Sequence, residues 1–209
     1  MRRLGRSSCI ILRISLAMMG RFWDVIRRRI YGTQNAPTSP PPPHTPPRHV
    51  LHPPLGPTGL LICWDIAFPE AFRELIASGA KLIIIPTFWT LADCSSYGLS
   101  LNPQSEALFL QTTLTARAFE NTCAVVFVNA GSPPGDDKSS YCGLSQVAIP
   151  FVGALGDETK ESSREGMSIV DVDMQVVEEA EDNYKVRADI SEEGWHYTYR
   201  HQEREGVGG

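Results

Sequence analysis

The side chains of this chain best suited to covalent chemistry are its thiols. Five cysteines, Cys9, Cys63, Cys94, Cys123 and Cys142, are odd in number and show no CxxC spacing. That pattern argues for free thiols in a reducing compartment. Taken alone, Cys63 in the apolar run Gly59-Leu-Leu-Ile-Cys63 reads as a core thiol, because a free Cys behaves as a small hydrophobe. To act as a nucleophile it would need a base or a positive neighbour, since a thiol of pKa about 8.5 is mostly protonated at pH 7. Three candidate bases, His44, His49 and His52, lie in a proline-rich stretch. A His–Cys pair is workable chemistry, but that stretch offers no framework to hold a histidine within hydrogen-bond reach. Their spacing carries no metal-ligand signature either, so no metal is expected. Glu70 reads as a first-turn helix residue favoured by the helix dipole. Cys94 and Cys142 read as loop thiols and Cys123 as core.

The elements that would position Cys63 follow from periodicity and punctuation. Gly59–Cys63 is expected as a buried strand ending at the cysteine. Pro69 opens a helix through Glu74, Ile76 and Ala77, with Gly79 as its stop. Lys81–Phe88 (KLIIIPTF) is the next strand, so strand, helix and strand form a parallel crossover whose strand C-terminal ends gather sites. Asn102 caps a second helix in which Ala107, Leu110, Leu114 and Ala118 make one apolar row. Cys123–Asn129 (CAVVFVN) reads as a central strand, Leu144–Ile149 and Met167–Val172 as later strands, and Asp173 as the cap of a short helix.

Upstream of this region the texture is different. Residues 37–57 hold 10 prolines in 21 positions, which excludes helix and central strand and predicts an extended linker. Before Pro57 there are nine arginines and one acid, Asp24; after it, 10 Lys and Arg face 23 Asp and Glu. The two parts thus carry about +8 and −13. No nucleic-acid reading motif accompanies the arginines, so nucleic acid is not expected as a partner. The run Cys9–Gly20 is interrupted by Arg13 and Ser15 and is shorter than the ~20 residues a membrane span requires, so no membrane insertion is expected. The expected organisation is a basic segment at 1–36, a linker at 37–54, one domain at 55–201 and a tail at 202–209. The thiols suit the cytoplasm, while the Arg-rich, acid-poor start leaves a mitochondrial presequence as the alternative.

The text around Cys63, Gly59-Leu-Leu-Ile-Cys63-Trp-Asp65-Ile-Ala-Phe-Pro69-Glu70 with Phe72-Arg73 and Gly79-Ala80, closely resembles the nucleophile segment of carbon–nitrogen hydrolases of the nitrilase superfamily. The likeness continues in order through Pro86-Thr-Phe-Trp89, Ala116-Arg117-Ala118-Phe119-Glu120-Asn121, Asn129, Gly143-Leu-Ser145-Gln-Val-Ala-Ile-Pro150 and Tyr184-Lys-Val-Arg-Ala-Asp189, covering residues 55–201. It implies an α/β fold, the α-β-β-α sandwich, with its first half missing or replaced. It also implies hydrolysis of a small-molecule amide or nitrile through a Cys63 thioester or thioimidate, with no cofactor and with homo-oligomers common. Cys63 takes the nucleophile position and the Trp64 backbone amide an oxyanion position, while Trp89 and Tyr97 are expected to line the pocket. Arg117 and Glu120 are expected in structural ion pairs or bonds to backbone. The family also uses a glutamate base and an oxyanion-binding lysine from upstream of the cysteine. Here no Glu precedes Glu70 and no Lys precedes Lys81. The expectation is therefore an inactive chain whose residues 1–54 are not the native lead-in, or a non-catalytic module of the same fold.

Overall fold

A computed structural model describes residues 7–13, 56–133, 141–155 and 166–194. Its centre is a five-stranded mixed sheet in the order β2 (Thr58–Leu60), β3 (Leu82–Thr87), β4 (Ala124–Asn129), β5 (Gln146–Ile149) and β6 (Gly153–Leu155). The first three strands run parallel and the last two join antiparallel. In β3 and β4 nearly every residue is apolar, as expected of strands covered on both faces. Ile83, Ile85, Val125 and Phe127 point to one face; Leu82, Val126 and Ala124 point to the other.

The first face carries two helices. α1 (Pro69–Ala77) buries Phe72, Leu75 and Ile76, with Pro69 at its first position and Gly79 past its end at φ +94°. Only glycine takes that conformation without strain. A short α2 (Ser96–Leu101) leads to α3 (Ser105–Glu120), which buries Leu110, Leu114 and Ala118 in the expected row. The capping point shifts by two residues: Gln104 precedes the helix, and the Asn102 side chain accepts the Gln104 N–H at 2.9 Å.

The second face packs on another sheet. β7 (Met167–Asp173) places Val170 and Val172 against Leu82, Val126, Val147 and Ile149 of the central sheet. Its partner is β1 (Ser7–Arg13), antiparallel over seven residues from Ser7↔Asp173 to Arg13↔Met167. No strand was expected at 7–13; the apolar alternation there is weak, and the long-range edge of β7 supplies the pairing. The described layers are therefore helices, sheet and sheet: an α/β fold, as expected, whose central sheet is mixed. α4 (Gln175–Tyr184) follows, with Asp173 accepting the Gln175 N–H at 3.0 Å, and then α5 (Val186–Ser191).

At the N-terminal ends of β3 and β4 the chain is tied by Arg187. Its guanidinium donates to the Ala80 and Thr122 carbonyls at 3.2 and 3.0 Å and pairs with Glu181 at 3.1 Å. The Thr122 hydroxyl donates to the same carboxylate at 2.6 Å. With the Arg187 backbone N–H at 2.8 Å, the Glu181 carboxylate thus accepts three charge-assisted bonds.

Candidate active site

Cys63 stands at the opposite, C-terminal end of the parallel strands. The sequence led to a strand ending at Cys63, but β2 stops at Leu60. Leu61 still donates to the Ile84 carbonyl at 3.0 Å, after which Cys63–Ala67 coil into a 3-10 turn. Apolar periodicity carries no mark of this break, because the break is made by side chains. The Asp65 carboxylate accepts the Ile62 N–H at 3.0 Å, and the Asp65 N–H returns to the Ile62 carbonyl at 2.9 Å. This accounts for an acid two residues after the cysteine: it folds the chain back at the strand end. The cysteine itself takes φ +46°, a left-handed conformation that a residue with a Cβ adopts only under constraint. A nucleophile on a tight, strained strand-to-helix turn is a recurrent way of presenting it above a sheet.

Arg117 holds this turn from below. Reaching from α3, its Nε donates to the Ile66 carbonyl at 3.1 Å and one Nη to the Ala67 carbonyl at 3.4 Å. Its other Nη pairs with Glu120 at 2.6 Å, and the guanidinium lies over the Phe72 ring, 5.4 Å from its centroid. The expectation of ion pairing and backbone bonds at Arg117 and Glu120 is met.

Around the sulfur the electrostatics are those of a resting thiol. Burial pushes the Cys63 thiol above its ordinary value. The backbone amides of Phe88 and Trp64 pull it back part of the way, and the carboxylates of Asp93 and Asp65 push it up again. No lysine or arginine is among the described groups that shift it.

Beside Cys63 the Trp64 ring, 55% exposed, lies 5.3 Å from the Trp89 ring and 6.0 Å from that of Phe109. Trp89 is buried beneath that stack, with its indole N–H donating to Glu106 at 2.6 Å. Tyr97, on α2, is 74% exposed and takes no part in the stack. Trp64 and Trp89 are thus brought together at the cysteine.

Asn129 explains its place in the motif series. From the end of β4, buried, it accepts the Trp89 N–H at 2.8 Å and the Ala130 N–H at 3.0 Å. It donates to the Trp89 carbonyl at 3.1 Å and the Gly143 carbonyl at 2.8 Å. Ser145 closes the same corner: its hydroxyl accepts the Asn129 N–H at 2.9 Å. One amide therefore joins the loop after β3 to the segment before β5, and the β3 loop carries the Phe88 amide that faces the sulfur.

Two residues near the site escaped the sequence. Asp93 accepts the Thr90 N–H at 2.8 Å, and the Thr-x-x-Asp spacing of a capped turn was its available signal. Phe109 was hidden within an otherwise ordinary helix row. Cys142 is corrected from loop thiol to core: it is buried, and its thiol is pushed up to about 11, first by burial and then by Glu106 and Asp93. Cys123 is core as expected, its thiol pushed up to about 12 by burial. The Cys94 sulfur accepts from the Ser105 hydroxyl at 3.1 Å. Glu70 sits in the first turn of α1. His44, His49 and His52, the proline-rich linker and the tail lie outside the described residues. Among the described residues, no three His, Cys, Asp or Glu side chains gather as metal ligands, and no helix is long and apolar enough to cross a membrane.

A cysteine on a positive-φ turn at the end of the parallel strands of a mixed sheet, with helices on one face and a second sheet on the other, defines a layered α/β scaffold. The family model for carbon-nitrogen hydrolases matches residues 24–182, and the chain belongs to that family. The match begins upstream of Leu55, the start expected from the motifs, and ends short of His201. A relative from Pseudomonas protegens named "Hydrolase in pqqF 5'region" is 38% identical over 44% of this chain and 27% of its own length. A 2-oxoglutaramate amidase from Bacillus subtilis is 30% identical over 62% of this chain and 43% of its own. Among solved structures, the Caenorhabditis elegans NitFhit protein aligns with TM-score 0.50 and 29% identity, over 66% of this chain and 29% of that one. The chain thus spans between about a quarter and about four tenths of the length of these relatives.

Proposed function

We propose that this chain carries the nucleophile half of an amide- or nitrile-hydrolysing site, with Cys63 as nucleophile and the Trp64 backbone amide as an oxyanion donor. The observation that carries this is the strained φ +46° turn that presents Cys63, with the Trp64 and Phe88 amides acting on its sulfur. In such a site the thiolate attacks the carbonyl or nitrile carbon, and the Trp64 N–H stabilises the charge that develops. From an amide, collapse of the adduct breaks the C–N bond, the departing nitrogen takes a proton and leaves as ammonia, and a thioester remains; water then releases the acid and the thiol. A small amide is favoured as substrate by the amidase among the relatives. Homo-oligomers and a cytoplasmic location, with the mitochondrion as alternative, are parts of the same proposal.

As a 209-residue chain the protein is inactive in this proposal. It has no Glu before Glu70 and no Lys before Lys81 to fill the roles that the resemblance assigns upstream of the cysteine. Burial and two carboxylates meanwhile push the thiol above its ordinary value. Missing an oxyanion donor lowers the rate by about 10²–10³-fold, and missing a base lowers it by about 10²–10⁴-fold. The purified chain should release no ammonia from short amides, ω-amido acids or nitriles beyond a Cys63→Ala control; Cys63-dependent ammonia would refute inactivity. Fused to an upstream segment bearing a glutamate and a lysine, the chain should gain turnover that Cys63→Ala abolishes. A fusion indifferent to Cys63→Ala would favour the second reading, a non-catalytic module of the same fold.

A further inference from the structure

We infer that Arg117, braced by Glu120, is the positioning residue of the nucleophile turn: its guanidinium holds the Ile66 and Ala67 carbonyls and thereby keeps Cys63 in its left-handed conformation. This rests on the reading of Cys63 as the nucleophile. The turn Cys63–Ala67 is a single short 3-10 coil, and such coils are poor at holding themselves, since few internal hydrogen bonds close them. Its exit carries the carbonyls of Ile66 and Ala67. Arg117 meets both with a planar fork whose donors are fixed relative to one another.

The fork is itself immobilised on every side. Glu120 takes one Nη at 2.6 Å, and the Phe72 ring lies beneath the guanidinium. The Asn121 side chain donates to the Arg117 carbonyl at 2.9 Å, fixing the backbone from which the side chain springs. The Arg117 side chain is only 11% exposed, so little water competes for these bonds. A left-handed non-glycine residue persists only when its surroundings over-determine it. Here Asp65 fixes the turn's entry and Arg117 its exit. Releasing the exit lets Cys63 leave its left-handed conformation, and the accompanying change in ψ turns the Cys63–Trp64 peptide and withdraws the Trp64 amide from the sulfur.

The test is the pH dependence of Cys63 alkylation in the full chain, read peptide by peptide by mass spectrometry after brief exposure to iodoacetamide. In Arg117→Met, which keeps an unbranched apolar stem over Phe72, alkylation of Cys63 below its midpoint should be about tenfold slower. That corresponds to a profile displaced by about one pH unit toward alkali. Arg117→Lys, able to reach one carbonyl, should recover part of the difference. Glu120→Gln should move the profile in the same direction by less, and it supplies the test if Arg117→Met does not fold. Arg187→Met removes the same side chain from the far end of the sheet and should leave the profile in place even as it lowers the unfolding midpoint. A Cys63 profile unmoved in both Arg117→Met and Glu120→Gln, or moved equally in Arg187→Met, would overturn the inference. Ammonia release plays no part in this measurement, so failure of the proposed catalytic role and failure of the Arg117 role remain distinguishable.

Discussion

Asn129→Ala removes one small side chain and disconnects two loops. Four hydrogen bonds vanish, but not all of their partners become orphans. The Ala130 N–H keeps the Thr87 carbonyl at 3.1 Å, and the Trp89 carbonyl keeps the Cys142 N–H at 3.3 Å. The Trp89 N–H and the Gly143 carbonyl lose the Asn129 contact, at two buried residues. A buried polar group left unsatisfied costs about 1–3 kcal/mol, so the pair comes to about 2–6 kcal/mol. Water entering the vacated space makes up part of this, which places the expected loss near 3 kcal/mol. Against a typical total of about 5–15 kcal/mol, that loss is easily measured. Urea denaturation should show a lower midpoint with an unchanged slope. Asn129→Asp should be no milder, because its second carboxylate oxygen would face the Gly143 carbonyl that the amide now binds. A loss below about 1 kcal/mol in Asn129→Ala would refute the view that this amide carries the corner.

Other measurements probe the thiols and the packing. Because burial raises the Cys63 thiol, its iodoacetamide labelling at neutral pH should be slower than that of an unstructured cysteine peptide and should climb through the alkaline range; equal rates at neutral pH would contradict the electrostatics described. Cys123 keeps its proton in the folded chain up to about 12, while the unfolded chain releases it from 9.0 upward. The folded state therefore binds more protons across that window, and stability falls as pH rises through it. Urea midpoints taken on either side of pH 9.0 should show this fall, reduced in Cys123→Ala. Gly59→Ala would place its Cβ 2.8 Å from Leu75 Cδ1, and overpacking there should lower stability by about 1–3 kcal/mol, less if Leu75 changes rotamer; calorimetry of the variant decides it.

Much of the scaffold could be read from local signals. Pro69 and Gly79 bracket α1, and the Leu110, Leu114, Ala118 row marks the buried face of α3, because both signals are written in adjacent residues. The motif series likewise pointed to Asn129 and Ser145 without revealing why they matter, which is that they bond to groups brought near only by the sheet. What escaped was set by distance along the chain. The turn that carries Cys63 is closed at its exit by Arg117, far along the sequence, and no periodicity encodes it. Cys142 looked like a loop thiol because burial there is produced by the Asn129 corner rather than by its own neighbours. The pairing of Ser7–Arg13 with β7 joins opposite ends of the chain, and a weakly alternating segment gives no local sign of it.

The Arg187 tie and the Cys63 turn lie at opposite ends of the same strands. With six residues in β3, they stand about 20 Å apart. At that separation, substitutions at the two ends should add without coupling. Firmness and reactivity are then inherited separately in this scaffold: the pole around Cys63 is free to drift, lose its partners or acquire others, while the pole around Arg187 goes on holding the sheet together. The same partition offers an engineer a fixed base on which to rebuild the other end.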